Sequence, residues 1–293
     1  MKKTIWYILL FALCNLIFCS CTVTNMHEKY IIPSNLIKLD GETLVSLDLA
    51  SGEKTTFQIG EYDFDINGTS VISDGNSIYL FDCGTWNKLP VDGYKIHNKP
   101  VIADDSVFFV SPDPEDLSTF PKLFIWKYEK GNITKFSENP VWYGSNILAF
   151  EDNLIFVRDS DLSIVCKNLS SGSENHLGYG SCLCWKEKGK SFYFQAYAEG
   201  LALYDIASKE ISIIDKKIDL DSSPIYDEEE NILIITCDDP RNYYSVSYSV
   251  AGLYFLNDNK FIYCDDYFKY VGINSDILNV ESFEPSIKFI YLT

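Results

Sequence analysis

Hydrophobic runs of five residues recur along this chain, each followed by a small polar turn and a second run. The copies are 44–48 before Ala50-Ser51-Gly52-Glu53, 78–82 before Cys83-Gly84-Thr85, 123–127 before Glu129-Lys130-Gly131-Asn132, 164–168 before Ser170-Ser171-Gly172, 201–205 before Ala207-Ser208-Lys209, and 253–257 before Asp258-Asn259. Short runs of β-branched and aromatic residues bounded by Gly, Ser, Asn and Asp predict strands joined by tight turns. The residues that end the runs, Asp48, Asp82, Lys127, Asn168, Asp205 and Asn257, are spaced 34, 45, 41, 37 and 52 residues apart. Each period leaves room for two strands upstream of the hairpin. In the clearest copy Ser181 to Lys186 reads as strand A, Ser191 to Tyr197 as B, Leu201 to Asp205 as C and Glu210 to Ile214 as D. The copy before it reads Asn146 to Phe150, Leu154 to Val157, Ile164 to Lys167 and a strand near Asn175 to Leu177.

Four short strands per period make a propeller blade rather than a sandwich sheet. The predicted fold is all-β, a six-bladed β-propeller of four-stranded antiparallel blades, with seven blades as the alternative. Asn35 to Leu39 with Asp40-Gly41 aligns with Ser70 to Ser73 with Asp74-Gly75, so the first blade takes strands B, C and D from the N-terminal side. The C-terminal stretch, Asp276 to Val280 and Ile287 to Leu292, then offers one or two strands to complete it, closing the ring and removing exposed sheet edges.

The run Cys184-Trp185-Lys186-Glu187-Lys188-Gly189-Lys190-Ser191-Phe192-Tyr193-Phe194, followed by Leu203-Tyr204-Asp205-Ile206-Ala207-Ser208-Lys209-Glu210, resembles the repeat of the Tol-translocation (TolB-like) six-bladed propellers. That pattern is a Trp, a polar Asp-Gly turn, an apolar strand and a Tyr-x-x-Asp hairpin; here Lys188-Gly189 occupies the turn, and most copies lack the Trp. The resemblance implies the fold and, through it, partner binding.

Composition narrows the function. The chain has 293 residues, of which 46% are hydrophobic and 15% aromatic, with 24 basic against 42 acidic residues and a formal charge of -18. Such a surface repels phosphate backbones and anionic headgroups, so nucleic acid is excluded as a partner and membrane contact is limited to a lipid anchor. Arg158 and Arg241 are the only arginines, too few for an arginine cluster that grips phosphate.

The N-terminus reads as an export signal over residues 1–20: a basic Met1-Lys2-Lys3, an apolar run from Ile5 to Phe18, then Cys19-Ser20-Cys21. The junction resembles a bacterial lipoprotein signal, which implies lipidation of Cys21, a polar tether over 21–30 and a single propeller domain over 31–293. Phe18 and Cys19 depart from the usual pattern, and an ordinary secretory signal cut near Cys21 is the alternative. Thr22 after the cysteine points to the outer membrane if the cell has one.

Successive loops of a blade alternate between its two ends. The B–C loops differ in length: 111–121 includes Pro112, Asp113, Pro114, Glu115, Asp116, Phe120 and Pro121, and 238–244 includes Asp238, Asp239, Arg241, Tyr243 and Tyr244. Three blades apart, these insertions are expected to face each other across the ring and bind a protein or glycan. Tyr243, Tyr244 and Phe120 would offer apolar surface, Arg241 the cation, and Asp113, Glu115, Asp116, Asp238 and Asp239 acceptors. The alternative is that they are unselected surface loops.

Catalytic signatures are sparse. His27, His97 and His176 are the only histidines, and no nucleophile elbow, zinc motif or phosphate loop occurs; Gly178 to Ser181 reads as a turn linking strands. Asp63-x-Asp65-x-Asn67-Gly68 has the opening spacing of a calcium loop but alternates with Tyr62, Phe64 and Ile66 like a strand, so no metal or cofactor is expected. Cys83, Cys166, Cys182, Cys184, Cys237 and Cys264 read as small buried residues, with one bridge between neighbouring strands allowed, and Cys182-x-Cys184 should place both thiols on one strand face. The reading is a non-enzymatic, monomeric envelope protein that binds a protein or glycan. Its rival is an exported glycan lyase or hydrolase using carboxylates at the funnel mouth, for which the pairs Asp104-Asp105, Asp238-Asp239 and Asp265-Asp266 are the available acids.

Overall fold

The computed structural model describes residues 35–40, 43–48, 54–58, 71–73, 75–82, 85–228, 231–238, 249–263 and 289–292. The chain divides into two units, Met1–Pro33 and Ser34–Thr293, and the described residues fall in the second. They contain strands and no helix.

In chain order the strands are β1 (Asn35–Asp40), β2 (Thr43–Asp48), β3 (Lys54–Gln58), β4 (Val71–Ser73), β5 (Ile78–Asp82), β6 (Thr85–Lys88), β7 (Val101–Ala103), β8 (Ser106–Pro112), β9 (Leu123–Glu129), β10 (Asn132–Lys135) and β11 (Leu148–Phe150). There follow β12 (Asn153–Val157), β13 (Ser163–Asn168), β14 (Glu174–Glu187), β15 (Ser191–Ala196), β16 (Gly200–Asp205), β17 (Ile211–Asp215), β18 (Ile225–Asp227), β19 (Ile232–Asp238), β20 (Ser249–Phe255), β21 (Lys260–Tyr263) and β22 (Phe289–Leu292). All pairings are antiparallel. The sheets run β22-β1-β2-β3, β4-β5-β6, β7 to β10, a seven-stranded β11 to β17, and β18 to β21. The first and last strands are thus neighbours, Asn35 opposite Leu292.

The seven-stranded sheet differs from expectation. Gly178 to Ser181 is part of β14, whose first half pairs with β13 and whose second half pairs with β15. A register shift between Ser181 and Cys184 bends it, with Cys182 at φ 58°. Cys182 packs with Tyr193 while the intervening Leu183 packs with Phe192 and Phe194, and Cys184 lies beside Tyr226, which packs against the same cluster as Cys182, so both thiols lie on one face as expected. Cys182 and Cys237 are buried, and Cys166, Cys182, Cys184 and Cys237 are all free thiols.

Side-chain burial explains the runs. Phe108 packs with Ala149, Leu154 and Phe156 of the following sheet and Val141 of the linker into it, while its neighbour Phe109 packs with Val71 and Ile78 of the preceding sheet and Val91 of the linker out of it. Successive residues of β8 point to opposite faces, and each face meets another sheet, so the strand is buried from Ser106 to Ser111. The same holds for β15, where Phe192 and Phe194 pack with Leu148 and Ile155, and Tyr193 with Leu233 and Ile235. Outer strand β10, by contrast, buries no residue fully. Each such phenyl side chain contributes about 1.5–3 kcal/mol on burial.

The sheets have two unlike ends. One carries the tight turns: Asp104-Asp105 (φ 47° and 54°) joins β7 to β8, and Lys130-Gly131 (φ 48° and 86°) joins β9 to β10. Two positive φ values in a two-residue loop match the twist of the flanking strands. Asp104-Asp105, named above as an acidic pair for the rival enzyme, is therefore a tight turn. The C–D turns are short but not uniform: β9–β10 uses two residues, whereas β13–β14 and β16–β17 use five. In the latter two, Asn168 Oδ1 accepts from Ser171 N at 2.8 Å and Ser171 Oγ at 2.9 Å, and Asp205 Oδ1 accepts from Ser208 N at 2.8 Å and Ser208 Oγ at 3.0 Å. Lys127 and Asn257 do not share this role, since Lys127 stands inside β9, ion-paired to Glu129, and Asn257 Oδ1 accepts from Asn231 Nδ2.

Candidate functional site

The opposite end carries the B–C loops and the linkers between sheets, and the linkers are fastened by long-range hydrogen bonds. Ile96 N donates to Gly75 O and His97 N to Val110 O; Val141 N donates to Leu123 O and Trp142 N to Val157 O. Each linker thus binds the loop end of the sheet it leaves and then that of the sheet it enters. Side chains join the linkers to one another and to β14: the buried Asn98 Nδ2 donates to Ser145 O, Leu183 N of β14 to the buried Ser145 Oγ at 3.1 Å, and Asn146 N to the partly buried Ser223 Oγ at 2.7 Å. Leu220 N donates to the buried Gln195 Oε1 at 2.8 Å.

On this frame stands the loop between β8 and β9. Its root is clamped: Lys135 Nζ lies 3.6 Å from Asp113 Oδ2 and 3.3 Å from the centroid of the Phe124 ring. Tyr94 packs edge-on against Phe109 and Trp126 there, and burial, reinforced by Asp113, raises its pKa. Within the loop Glu115 N donates to Asp113 Oδ1, Asp116 N to Asp113 O, and Ser118 N to Asp116 Oδ1 at 3.0 Å. The hydrogen bonds from Ser118 hold the Asp116 carboxyl below its usual value. Beyond this framework project Leu117, 94% exposed, and Phe120, 91% exposed.

Three tyrosines are exposed at the same end: Tyr143 in the linker into β11, Tyr179 at the bend of β14, and Tyr197 after β15. Tyr197 N donates to Tyr179 O at 3.3 Å, so these two are adjacent, and His176 packs on Tyr179 with ring centroids 4.6 Å apart. Of the large exposed hydrophobic side chains among the described residues, only Ile211 lies elsewhere. Lys99, in the linker into β7, is open to solvent yet closely surrounded by protein. Desolvation lowers its pKa, Cys184 opposing and Lys188 reinforcing the shift, and burial pushes the Cys184 thiol up to about 12.

Of the residues proposed from sequence, Asp113, Glu115, Asp116 and Phe120 share one loop at this end. Asp238 ends β19, opposite Ser249, at the mouth of its B–C loop. Asp239, Arg241, Tyr243, Tyr244 and Cys21 lie outside the described residues, as do Asp265-Asp266 and the calcium-like residues Asp63, Asp65, Asn67 and Gly68. Sequence reasoning passed over Leu117, Tyr143, Tyr179, Tyr197 and Lys99. Single residues in short connections carry no pattern; only the rule that loops alternate between ends could have grouped them.

No protein-family model matches the chain, and no curated protein matches it. Among solved structures it is similar to TolB from Acinetobacter baumannii, at 13% identity and a TM-score of 0.47, covering 78% of this chain and 61% of that one. It is also similar to an oligogalacturonate lyase in complex with manganese, at 12% identity and a TM-score of 0.47, covering 75% of this chain and 70% of that one. An oligogalacturonate lyase from Vibrio parahaemolyticus shows the same identity, coverage and TM-score. The loose TolB-like resemblance read from the sequence thus has a TolB structure among the chain's structural neighbours.

Proposed function

We propose that this protein is a non-enzymatic, exported binding propeller of the cell envelope, tethered by a lipid on Cys21, whose linker end recognises a protein or glycan partner. The observation that carries the reading is the gathering of Leu117, Phe120, Tyr143, Tyr179 and Tyr197 at one end of the sheets. A contiguous or clustered apolar surface of this kind marks an interaction site, whereas single scattered residues do not. The ring has six blades: the seven-stranded sheet supplies two, divided at the bend of β14, and the other four sheets supply one each. Its seam is the pairing of β22 with β1. The N-terminal apolar run and Cys21 support export and anchoring, with the outer membrane as destination where one exists.

The test compares the two ends. Y143A/Y179A/Y197A and, as the turn-end control, S171A/S208A are assayed for retention of envelope proteins and for binding on a glycan array. Loss of a wild-type ligand in the tyrosine variant alone is the expected result; equal binding by both variants overturns the reading. Palmitate labelling that disappears in C21S checks the anchor.

A further inference from the structure

Resting on the binding reading, we propose that the loop 113–122 is a docking knob for a cationic polypeptide: Leu117 and Phe120 enter an apolar pocket of the partner, and Glu115 and Asp116 meet basic residues on its rim. Exposed apolar residues are common singly, but these two stand on a loop shaped to display them. Pro112, Pro114 and Pro121 restrict its backbone, Asp113 and Asp116 fasten three of its amides, and Lys135 pins its root through both Asp113 and the Phe124 ring. A tip already held in place loses little conformational freedom when it docks.

Charge selects the partner. The segment has three carboxylates against Lys122, on a chain of formal charge -18. A second copy of the chain, equally acidic, is repelled at long range, and so is an anionic bilayer. A glycan is recognised by flat aromatic stacking and hydrogen-bonding groups, and Leu117 supplies neither. A polypeptide with a basic rim around an apolar pocket satisfies both features, with the charges steering encounter and the apolar pair supplying the anchor.

The experiment places a photoreactive amino acid at 117, 120, 143, 179, 197 and, as turn-end control, 171 in the full-length protein, with irradiation in the cells that make it. The expected result is a discrete polypeptide adduct from 117 and 120 but not 171. Its crosslinked peptide, identified by mass spectrometry, carries Lys or Arg, and its yield falls about tenfold in E115Q/D116N. Adducts from 117 and 120 to lipid, to glycan or to a second copy overturn the knob, as does a polypeptide adduct indifferent to E115Q/D116N. Adducts from 143, 179 or 197 with none from 117 and 120 overturn it while leaving the binding face intact; no adduct from any position overturns both.

Discussion

The two ends of these sheets are built from the same strands but held by opposite kinds of contact. At the turn end, Asn168 and Asp205 bond to Ser171 and Ser208, three residues on, so each hairpin closes by itself. At the linker end, the bonds of Leu183 to Ser145, Asn98 to Ser145 and Asn146 to Ser223 span 38, 47 and 77 residues and exist only once neighbouring sheets have met. One end is secured locally and shows few apolar groups, while the other is secured globally and displays them. A binding face on the globally fastened end is rigid only in the finished fold, where several sheets fix the relative positions of its loops.

The contrast breaks most visibly at Gly200. With φ at 92°, a Cβ there would lie 2.3 Å from Asp215 O and 2.7 Å from Lys216 Cα, both backbone atoms that cannot move aside alone. Gly172, in the β13–β14 turn, has φ 70° with nothing within 4 Å of the same Cβ. We expect G200A to lower stability by about 3 kcal/mol, through strain plus overpacking, and G172A by about 1 kcal/mol, through strain alone. Urea unfolding of both checks this, and equal losses would remove the distinction between the ends. Next in size comes S145A, which leaves the buried Leu183 N–H without its side-chain acceptor. The expected cost is about 2 kcal/mol, with protection of that amide from hydrogen exchange falling more than at turn-end amides. Unchanged exchange at Leu183 would mean that the linker bond is not a separate support.

What could be read from the sequence follows the same division. The hairpins around 164–168 and 201–205, the strand boundaries of β15 and β16 within a residue, and the all-β class came from alternation and turn residues, which are local signals. The β8–β9 loop was legible as an insertion, with Asp113, Glu115, Asp116 and Phe120 placed on it. The continuous β14 was not legible, because Gly178 and Gly180 look like a turn until two ladders, one on each side of the bend, hold them in a strand. Nor were the linker staples Asn98, Ser145 and Ser223, whose partners lie tens of residues away, or the exposed tyrosines, which stand alone in short connections. The six aligned run ends also proved unequal: Asn168 and Asp205 cap turns in the same way, while Lys127 sits in mid-strand.

The matched turns permit a finer comparison. In both, the fourth residue after the capping side chain donates its N–H to the carbonyl of the capping residue and adopts positive φ, Gly172 at 70° and Lys209 at 60°. Lysine has a Cβ penalty in that region and glycine has none, though glycine also loses more freedom on folding. The net expectation for K209G is a gain of about 0.5 kcal/mol, read as a rise in the urea midpoint with unchanged slope. A loss would show that Lys209 makes compensating contacts and that the two turns are less alike than their hydrogen bonds.

The smallest effect separates the two turns by titration. Backbone and side-chain hydrogen bonds from Ser208 lower the pKa of Asp205 from its ordinary 3.8, whereas Asn168 makes the equivalent bonds without carrying a proton that titrates. A depressed folded-state pKa means that the unfolded chain binds the proton more readily. The stabilisation is therefore fully present above the ordinary value and is lost as pH falls through the depressed one. D205N retains an acceptor for Ser208 but removes the titration. The difference in unfolding stability between wild type and D205N should stay level above about pH 5 and shift against wild type on further acidification. N168D should create the same dependence in the other turn, gaining stability relative to wild type as pH rises through the acidic range. Parallel pH profiles for all three proteins would show that the Ser208 bonds do not distinguish the charged from the neutral side chain, and that the two caps are interchangeable in charge as well as in geometry.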